Sequence, residues 1–335
     1  MPPTPPPPSS VLVLGAGELG TQVLHSLTSH PSLNPNKSKI TLLLRPSTLS
    51  SSSPNPAKTA SLQSAEISLI TADIATAALP ELTALFTPFD TIISCTGMAL
   101  PPGTQLKITR AVLAAGTSAS NGNGNGNGRE GVRRYFPWQF GLDYDAIGRS
   151  SAQDLFDEQL DVRDLLRSQN GVRWVVVSTG MFMSFLFERA FGVVELPASS
   201  GGRAGRVGAL GSWENALTVT AVEDVGRVVA ELALVEVGEE GVVFVAGDTV
   251  SMRRLADVVE GLLGGKEVER SVKSVEQLEK ELAEAPEDVM RKYRAVFAAG
   301  MGVSWDKERS FNAKHGMEME TVEEWAKKNV IVSQV

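Results

Sequence analysis

Cysteine is nearly absent. Cys95 is the single one in 335 residues, so no disulfide can close within the chain and no thiolate cluster can hold a metal. Histidine is scarce too: His25, His30 and His315 are widely spaced and show no metal-ligand pattern. No run of Lys and Arg exceeds two, and the net charge is −8. Both argue against a nucleic-acid-binding face, which needs clustered cations. No apolar run approaches the length of a membrane span. The start, Met1 to Pro8, lacks the charged and apolar regions of a signal peptide and reads as a polyproline tail. A cytoplasmic protein with neither a nucleic-acid nor a membrane partner is the expectation.

What is present describes an ordinary globular chain. Hydrophobic residues make up 42% and charged residues 21%, and the length suits one large domain or a domain with a lobe. The most informative stretch lies near the start. Val11-Leu12-Val13-Leu14 reads as a buried strand, and Gly15-Ala16-Gly17-Glu18-Leu19-Gly20 follows it directly. Leu19, Val23 and Leu27 then recur at a spacing of four, which predicts a helix. Strand, G-x-G-x-x-G and helix in this order form the dinucleotide-binding fingerprint. Gly15 permits the tight turn, Gly17 lets backbone approach a pyrophosphate, and Gly20 lets the helix pack close on the strand. The free N–H groups at the helix start, around Glu18 and Leu19, then face the phosphates. A plain strand–helix turn is the alternative.

Further apolar runs predict strands at 40–44, 67–70, 91–94, 132–136, 173–178 and 241–245. Helices are predicted at 79–86, 105–115, 151–167, 222–234, 252–263, 275–283, 287–298 and 321–328. The early alternation argues for an α/β doubly wound parallel sheet of Rossmann type, with a smaller, mostly helical C-terminal substrate lobe. The expected division is a disordered tail at 1–10, a nucleotide-binding domain at 11–178 returning at about 219–247, and a lobe at 179–218 and 248–335. Residues 50–56 read as a surface loop. The Asn-Gly repeats within 116–128 read as a disordered insert. The Gly-rich stretch 198–211 carries no strand prediction. The cofactor is expected at the carboxyl ends of the strands, with the substrate between sheet and lobe.

Arg45 ends the second predicted strand, where an NAD site usually carries an acid for the ribose hydroxyls. A guanidinium there suits a 2′-phosphate, and Ser47 and Thr48 can add hydrogen bonds. One charge-assisted hydrogen bond is worth about 1.5–3 kcal/mol, so roughly tenfold to a hundredfold preference for NADP(H) follows. A plain surface arginine remains the alternative. Asp73, and Cys95-Thr96-Gly97, follow the third and fourth strands, on the adenine and nicotinamide sides of such a sheet. A strand-ending turn is the alternative for each, and an equal one for Asp73. Cys95 reads as buried and inert.

Arg134-Tyr135-Phe136-Pro137-Trp138-Gln139-Phe140-Gly141 resembles the R-F-x-P-S-E-F-G segment of the NmrA-like and isoflavone-reductase-like family of atypical short-chain dehydrogenases. The Gly15–Gly20 turn, Arg45 and the segment Thr220 to Arg227 resemble that family too, and the likeness runs from about Val11 to about Trp325. It implies a Rossmann domain with a small C-terminal substrate lobe and, for reductase members, NADPH. The Trp138-Gln139 variant is associated with fungal secondary metabolism. Trp138, Gln139 and Trp213 are placed near the cofactor or substrate by this resemblance alone. Phe182 and Met183 can line an apolar substrate pocket or belong to the lobe core.

The chain departs from the family at one point that matters. Reductase members carry a lysine on the helix after that segment. Aligned through Phe156 and Val162-Arg163, the position is Gln159 here, on the inward stripe of Leu155, Val162 and Leu166. Glutamine can orient a carbonyl or a water but cannot act as a cationic acid. A Tyr-x-x-x-Lys pair is also missing. Tyr144, Asp143 and Asp154 are the candidate proton donors, each with an equally ordinary reading as packing or a helix cap. The reading is an NADP(H)-dependent oxidoreductase reducing a small or medium apolar carbonyl, enone or imine. Its alternatives are an NADP-sensing regulator that catalyses nothing, or a cyclase that keeps NADP as a scaffold. A monomer or homodimer is expected, with a small-molecule substrate and no metal.

Overall fold

A computed structural model describes residues 8, 10–34, 38–49, 67–97, 100–118, 131–197, 205–235 and 238–330. Most of the expected tail, the 50–56 loop and the Asn-Gly repeats lie outside these residues. The chain divides into two compact units. The first comprises Met1–Gln139, Glu158–Val177 and Val225–Val243; the second comprises Phe140–Asp157, Ser178–Asp224 and Phe244–Val335. The expected boundaries gave 140–157 to the nucleotide-binding domain. Its contacts lie with the second unit, because Asp143, Gly141 and Asp154 bond to Gly302, Thr179 and Lys292.

The first unit is built on a seven-stranded sheet in the order β11-β6-β5-β4-β1-β2-β3. The strands are β1 Ser10–Leu14, β2 Lys39–Leu44, β3 Ile67–Thr71, β4 Thr91–Ser94, β5 Arg134–Phe136, β6 Arg173–Ser178 and β11 Gly241–Phe244. The pairings among β1 to β6 are all parallel. From β1 the chain fills one side of the sheet with β2 and β3, then crosses to β4, β5 and β6. This is the doubly wound Rossmann order, and its switch point lies between β1 and β4. Strands buried on both faces must be apolar throughout, and Val11, Leu12, Val13 and Leu14 are all fully buried. On one face Leu12 and Leu14 pack with Leu82, Phe86, Ile108, Val112, Val162 and Leu166 from three covering helices. Helix α1, Glu18–Ser29, buries Leu19, Val23 and Leu27.

Two expectations change here. Ser10 belongs to β1 rather than to a tail, and the carbonyl of Pro8 accepts a hydrogen bond from Ser38 Oγ. The helix expected at 105–115 runs over Thr104–Ser118. Gly116 is therefore helical, and a Cβ there would come within 2.3 Å of Val172 and 2.9 Å of the Val132 carbonyl.

The second unit holds helices at Met252–Leu262, Val275–Glu284, Val289–Ala299 and Val322–Asn329. It also holds two three-stranded sheets that the sequence reading passed over. One orders β12-β10-β7 (Asp248–Ser251, Ala216–Thr220, Met181–Phe182). The other orders β13-β9-β8 (Glu269–Lys273, Arg206–Leu210, Val194–Glu195). None of these strands carries a continuous apolar run like Val11–Leu14, the signal that marks strands of the first sheet.

Candidate functional site

The glycine turn at the end of β1 has the geometry that each of its residues requires. Gly15 has φ +89°, and a Cβ there would sit 3.0 Å from the Cys95 carbonyl oxygen. A side chain is excluded at that left-handed, crowded position. Gly20 is more restricted still, because its Cβ would lie 2.1 Å from the Gly15 carbonyl oxygen. At Gly17 a Cβ would meet nothing within 4 Å. The space over Gly17 is open, and Gly17 caps α1 with no side-chain hydrogen bond. The start of α1 borders this open space, and the helix dipole favours an anion there. Glu18 opens the helix with an exposed side chain, while Leu19 is buried, so Leu19 contributes backbone only.

Arg45 follows β2 directly and is exposed. Its guanidinium makes no ion pair among the described residues. Its carbonyl accepts the Thr48 N–H at 2.9 Å, starting a turn of helix over Pro46–Leu49 that carries exposed Ser47. Asp73 is engaged locally. Its Oδ1 accepts the Ala75 N–H at 3.0 Å, which makes the turn reading sufficient for that oxygen. Asp73 also borders a cavity of about 380 Å³ with Ala72, Thr76, Leu82 and Leu85.

At the end of β4, Cys95 is buried and burial pushes its thiol far up, so it is no nucleophile at neutral pH. Thr96 Oγ1 lies 3.3 Å from Ser94 Oγ and accepts from Gln105 Nε2 at 3.0 Å. Gly97 turns the chain with φ +78°. Gly15, Cys95 and Thr96 meet where β1 and β4 end, at the switch point, where open α/β sheets bind ligands.

Beyond β5, Trp138 is half-buried and Gln139 is 1% exposed. Gln139 is bound up in structure. Its Nε2 donates to the Gln159 carbonyl at 2.8 Å, and its Oε1 accepts from Arg163 Nε at 2.8 Å. Both ends of the amide thus tie the segment after β5 to the helix Leu155–Arg167. Gln159 does point inward, as its stripe predicts, at 1% exposure. Neither Oε1 nor Nε2 of Gln159 has a hydrogen-bond partner among the described residues. Leaving a buried polar group unpaired costs about 1–3 kcal/mol, a cost that packing alone gives no reason to keep.

The remaining candidates fall in the second unit. Asp143 caps the short helix Tyr144–Ile147, accepting the Ala146 N–H, which is the ordinary cap reading. Tyr144 is buried against Phe156, with ring centroids 4.7 Å apart, and Phe156 in turn meets Tyr293 at 6.1 Å. Asp154 is exposed and its Oδ2 accepts from Lys292 Nζ at 2.8 Å. That hydrogen bond holds its carboxyl below the usual carboxylate range. It is ionised at neutral pH and supplies no proton. Met183 is fully buried and belongs to the core, while Phe182 is half-exposed. Trp213 is half-buried under the Arg270 guanidinium, 5.8 Å from the ring centroid. Asn215 Nδ2 donates to the Leu210 and Phe297 carbonyls, each at 2.8 Å, which is a structural task.

Sequence reasoning missed Arg163, Gln105 and Glu158. Arg163 is fully buried, and a cation inside an apolar helical stripe was its available signal. Gln105 and Glu158 give no signal in sequence, because their roles depend on partners 9 and 52–55 residues away.

An NmrA-like family domain-containing oxidoreductase of Gibberella moniliformis is 42% identical over 320 residues, spanning 95% of this chain and 97% of its own. The chain belongs to the NmrA-like family. No protein-family model matches it. Among solved structures, isoflavone reductase superposes with a TM-score of 0.73 at 20% identity, covering 96% of this chain and 99% of that one. A leucoanthocyanidin reductase–NADPH complex from Vitis vinifera gives 0.71 at 17% identity, covering 95% and 98%. At such identities the likeness is one of fold. Among the described residues of this NmrA-like chain, no helix is long and apolar enough to cross a membrane and no cluster of His, Cys, Asp or Glu suits a metal.

Proposed function

We propose that this NmrA-like chain is an NADP(H)-dependent reductase of a small or medium apolar carbonyl, enone or imine, working in secondary metabolism. The observation that carries the reading is the open space over Gly17 at the start of α1, beside a turn that tolerates no side chain at Gly15 or Gly20. Backbone N–H groups of residues 18–20 would hold the pyrophosphate. Arg45, without an ion pair and exposed beyond β2, would take the 2′-phosphate, with Ser47 beside it. Thr96 and Gly97 would lie on the nicotinamide side. The G. moniliformis relative is named an oxidoreductase, and the leucoanthocyanidin reductase structure contains NADPH. Bound nicotinamide supplies a hydride.

Within that substrate class an iminium fits the chain best. Hydride addition to C=N⁺ yields a neutral amine and needs no proton, whereas addition to a ketone leaves an alkoxide that must be protonated. Gln159 offers an amide, with a donor and an acceptor free, and Asp154 is spent on Lys292. The want of an acid at Gln159 and Asp154 also favours a second reading, in which NADP is bound but never oxidised or reduced, as in a sensor or a cyclase. Calorimetric titration tests the cofactor: NADP(H) is expected to bind at least about tenfold tighter than NAD(H), and Arg45→Ala to erase the difference. Equal affinities in the unaltered protein overturn the NADP assignment. NADPH consumption with matched cyclic iminium and ketone substrates then tests the chemistry. No consumption with any substrate favours the second reading.

A further inference from the structure

Thr96 stands beside the glycine turn, since a Cβ on Gly15 would lie 3.5 Å from the Thr96 Cα. Its hydroxyl is held by Gln105, the second residue of the helix Thr104–Ser118. Gln105 is 5% exposed, and its Oε1 has no hydrogen-bond partner. The placement of Gln105 is itself secured. Glu158 accepts the Gly103 N–H at 2.9 Å with Oε2 and the Leu106 N–H at 3.0 Å with Oε1, clamping the helix start on both sides of Gln105. A carboxylate there also complements the helix dipole. A further fix lies inside the helix, where Thr109 Oγ1 donates to the Gln105 carbonyl at 2.9 Å.

So the fold fixes the backbone of Gln105 and binds one end of its amide to Thr96, which stands beside the glycine turn, yet leaves the other end without a donor among the described residues. A buried acceptor without a partner is destabilising. Methionine or leucine would fill the same volume without that penalty. We propose that the Gln105 carboxamide is part of the dinucleotide site, with Nε2 fixing Thr96 and Oε1 accepting a hydrogen bond from a donor on the nicotinamide half, a ribose hydroxyl or the ring carboxamide. Oε1 and Nε2 are opposite ends of one planar amide, so the orientation that keeps Nε2 on Thr96 is also the one that leaves Oε1 to accept from a ligand. The inference rests on the NADP reading above.

The test measures binding and stability of the full chain with Gln105→Met. NADPH and adenosine 2′,5′-bisphosphate, which lacks the nicotinamide half, are titrated separately, and thermal midpoints are recorded without ligand. NADPH is expected to bind about three- to tenfold more weakly to Gln105→Met. The bisphosphate should bind as it does to the unaltered protein, and the midpoint should be unchanged or higher. Unchanged NADPH affinity overturns the inference, as does an equal loss for both ligands with a lowered midpoint, which marks a purely structural residue. Thr96→Val gives an independent check. It should weaken NADPH and spare the bisphosphate, and equal effects on the two ligands also overturn the inference. Failure of the unaltered chain to bind either ligand overturns the NADP reading itself, a result distinct from any of these.

Discussion

At the scale of single residues, the two glycines that differ most are Gly17 and Gly20. They share a motif but not a task. A Cβ at Gly20 collides with the Gly15 carbonyl at 2.1 Å, whereas one at Gly17 meets only open space. Gly20→Ala is therefore expected to cost about 1–3 kcal/mol in folding stability, as overpacking does, read as a shift in the urea midpoint. Gly17→Ala should leave that midpoint nearly unmoved and lower cofactor affinity, because its methyl group occupies the space left for the ligand. Equal loss of stability in both variants would show that the open space is not reserved. Gln159 gives the converse case. Its amide is buried with both ends unpaired, so Gln159→Leu is expected to raise the thermal midpoint while turnover falls. Since glutamine does not titrate, the pH profile of turnover should keep its shape as its height drops. Tyr144→Phe should remove a titrating limb only if Tyr144 donates the proton.

At the scale of elements, the helix Thr104–Ser118 depends on Glu158 from the helix Leu155–Arg167. The first four N–H groups of a helix have no partner within it, and this carboxylate satisfies two groups at that end while joining two elements that cover the same sheet face. Glu158→Ala is expected to cost about 1–2 kcal/mol, the scale of a lost cap, measured by urea unfolding. The loosened Gln105 should weaken NADPH binding alongside. A second tie on the Leu155–Arg167 helix runs from the segment after β5 through Gln139 to Gln159 and Arg163. That helix therefore carries a polar layer inside an apolar stripe.

At the scale of the molecule, each unit is assembled from three separate segments. The last of the first unit, Val225–Val243, supplies most of the edge strand β11. In the second unit, Asp154 and Lys292 are 138 residues apart in sequence and 2.8 Å apart in space. The pair sets a pH dependence. Lys292 lowers the Asp154 carboxyl pKa in the folded state. Its stabilisation is complete above the unfolded value of about 3.9 and is lost as pH falls through the lower folded value. The exposure of Asp154 makes the effect small. Stability measured from pH 6 to pH 2 should fall less steeply for Asp154→Asn than for the unaltered chain. Turnover between pH 6 and pH 8 should not change in shape, because Asp154 does not titrate there.

The sequence by itself determined the sheet and the turn. Apolar runs named the strands of the Rossmann sheet, glycine spacing named the turn at the end of β1, and helical periodicity sent Gln159 inward. These features are local, since a strand, a turn and a helix face are each set within about ten residues by sterics and burial. The tertiary structure alone decided what each polar side chain bonds to. It gave the amide of Gln139 to the Leu155–Arg167 helix, the carboxylate of Asp154 to Lys292 and the hydroxyl of Thr96 to Gln105. It also formed the two small sheets of the second unit, whose strands lack the continuous apolar run of the first sheet. Periodicity reports that a residue faces inward. The partner waiting there comes from another part of the chain, brought close only when the apolar faces are buried together.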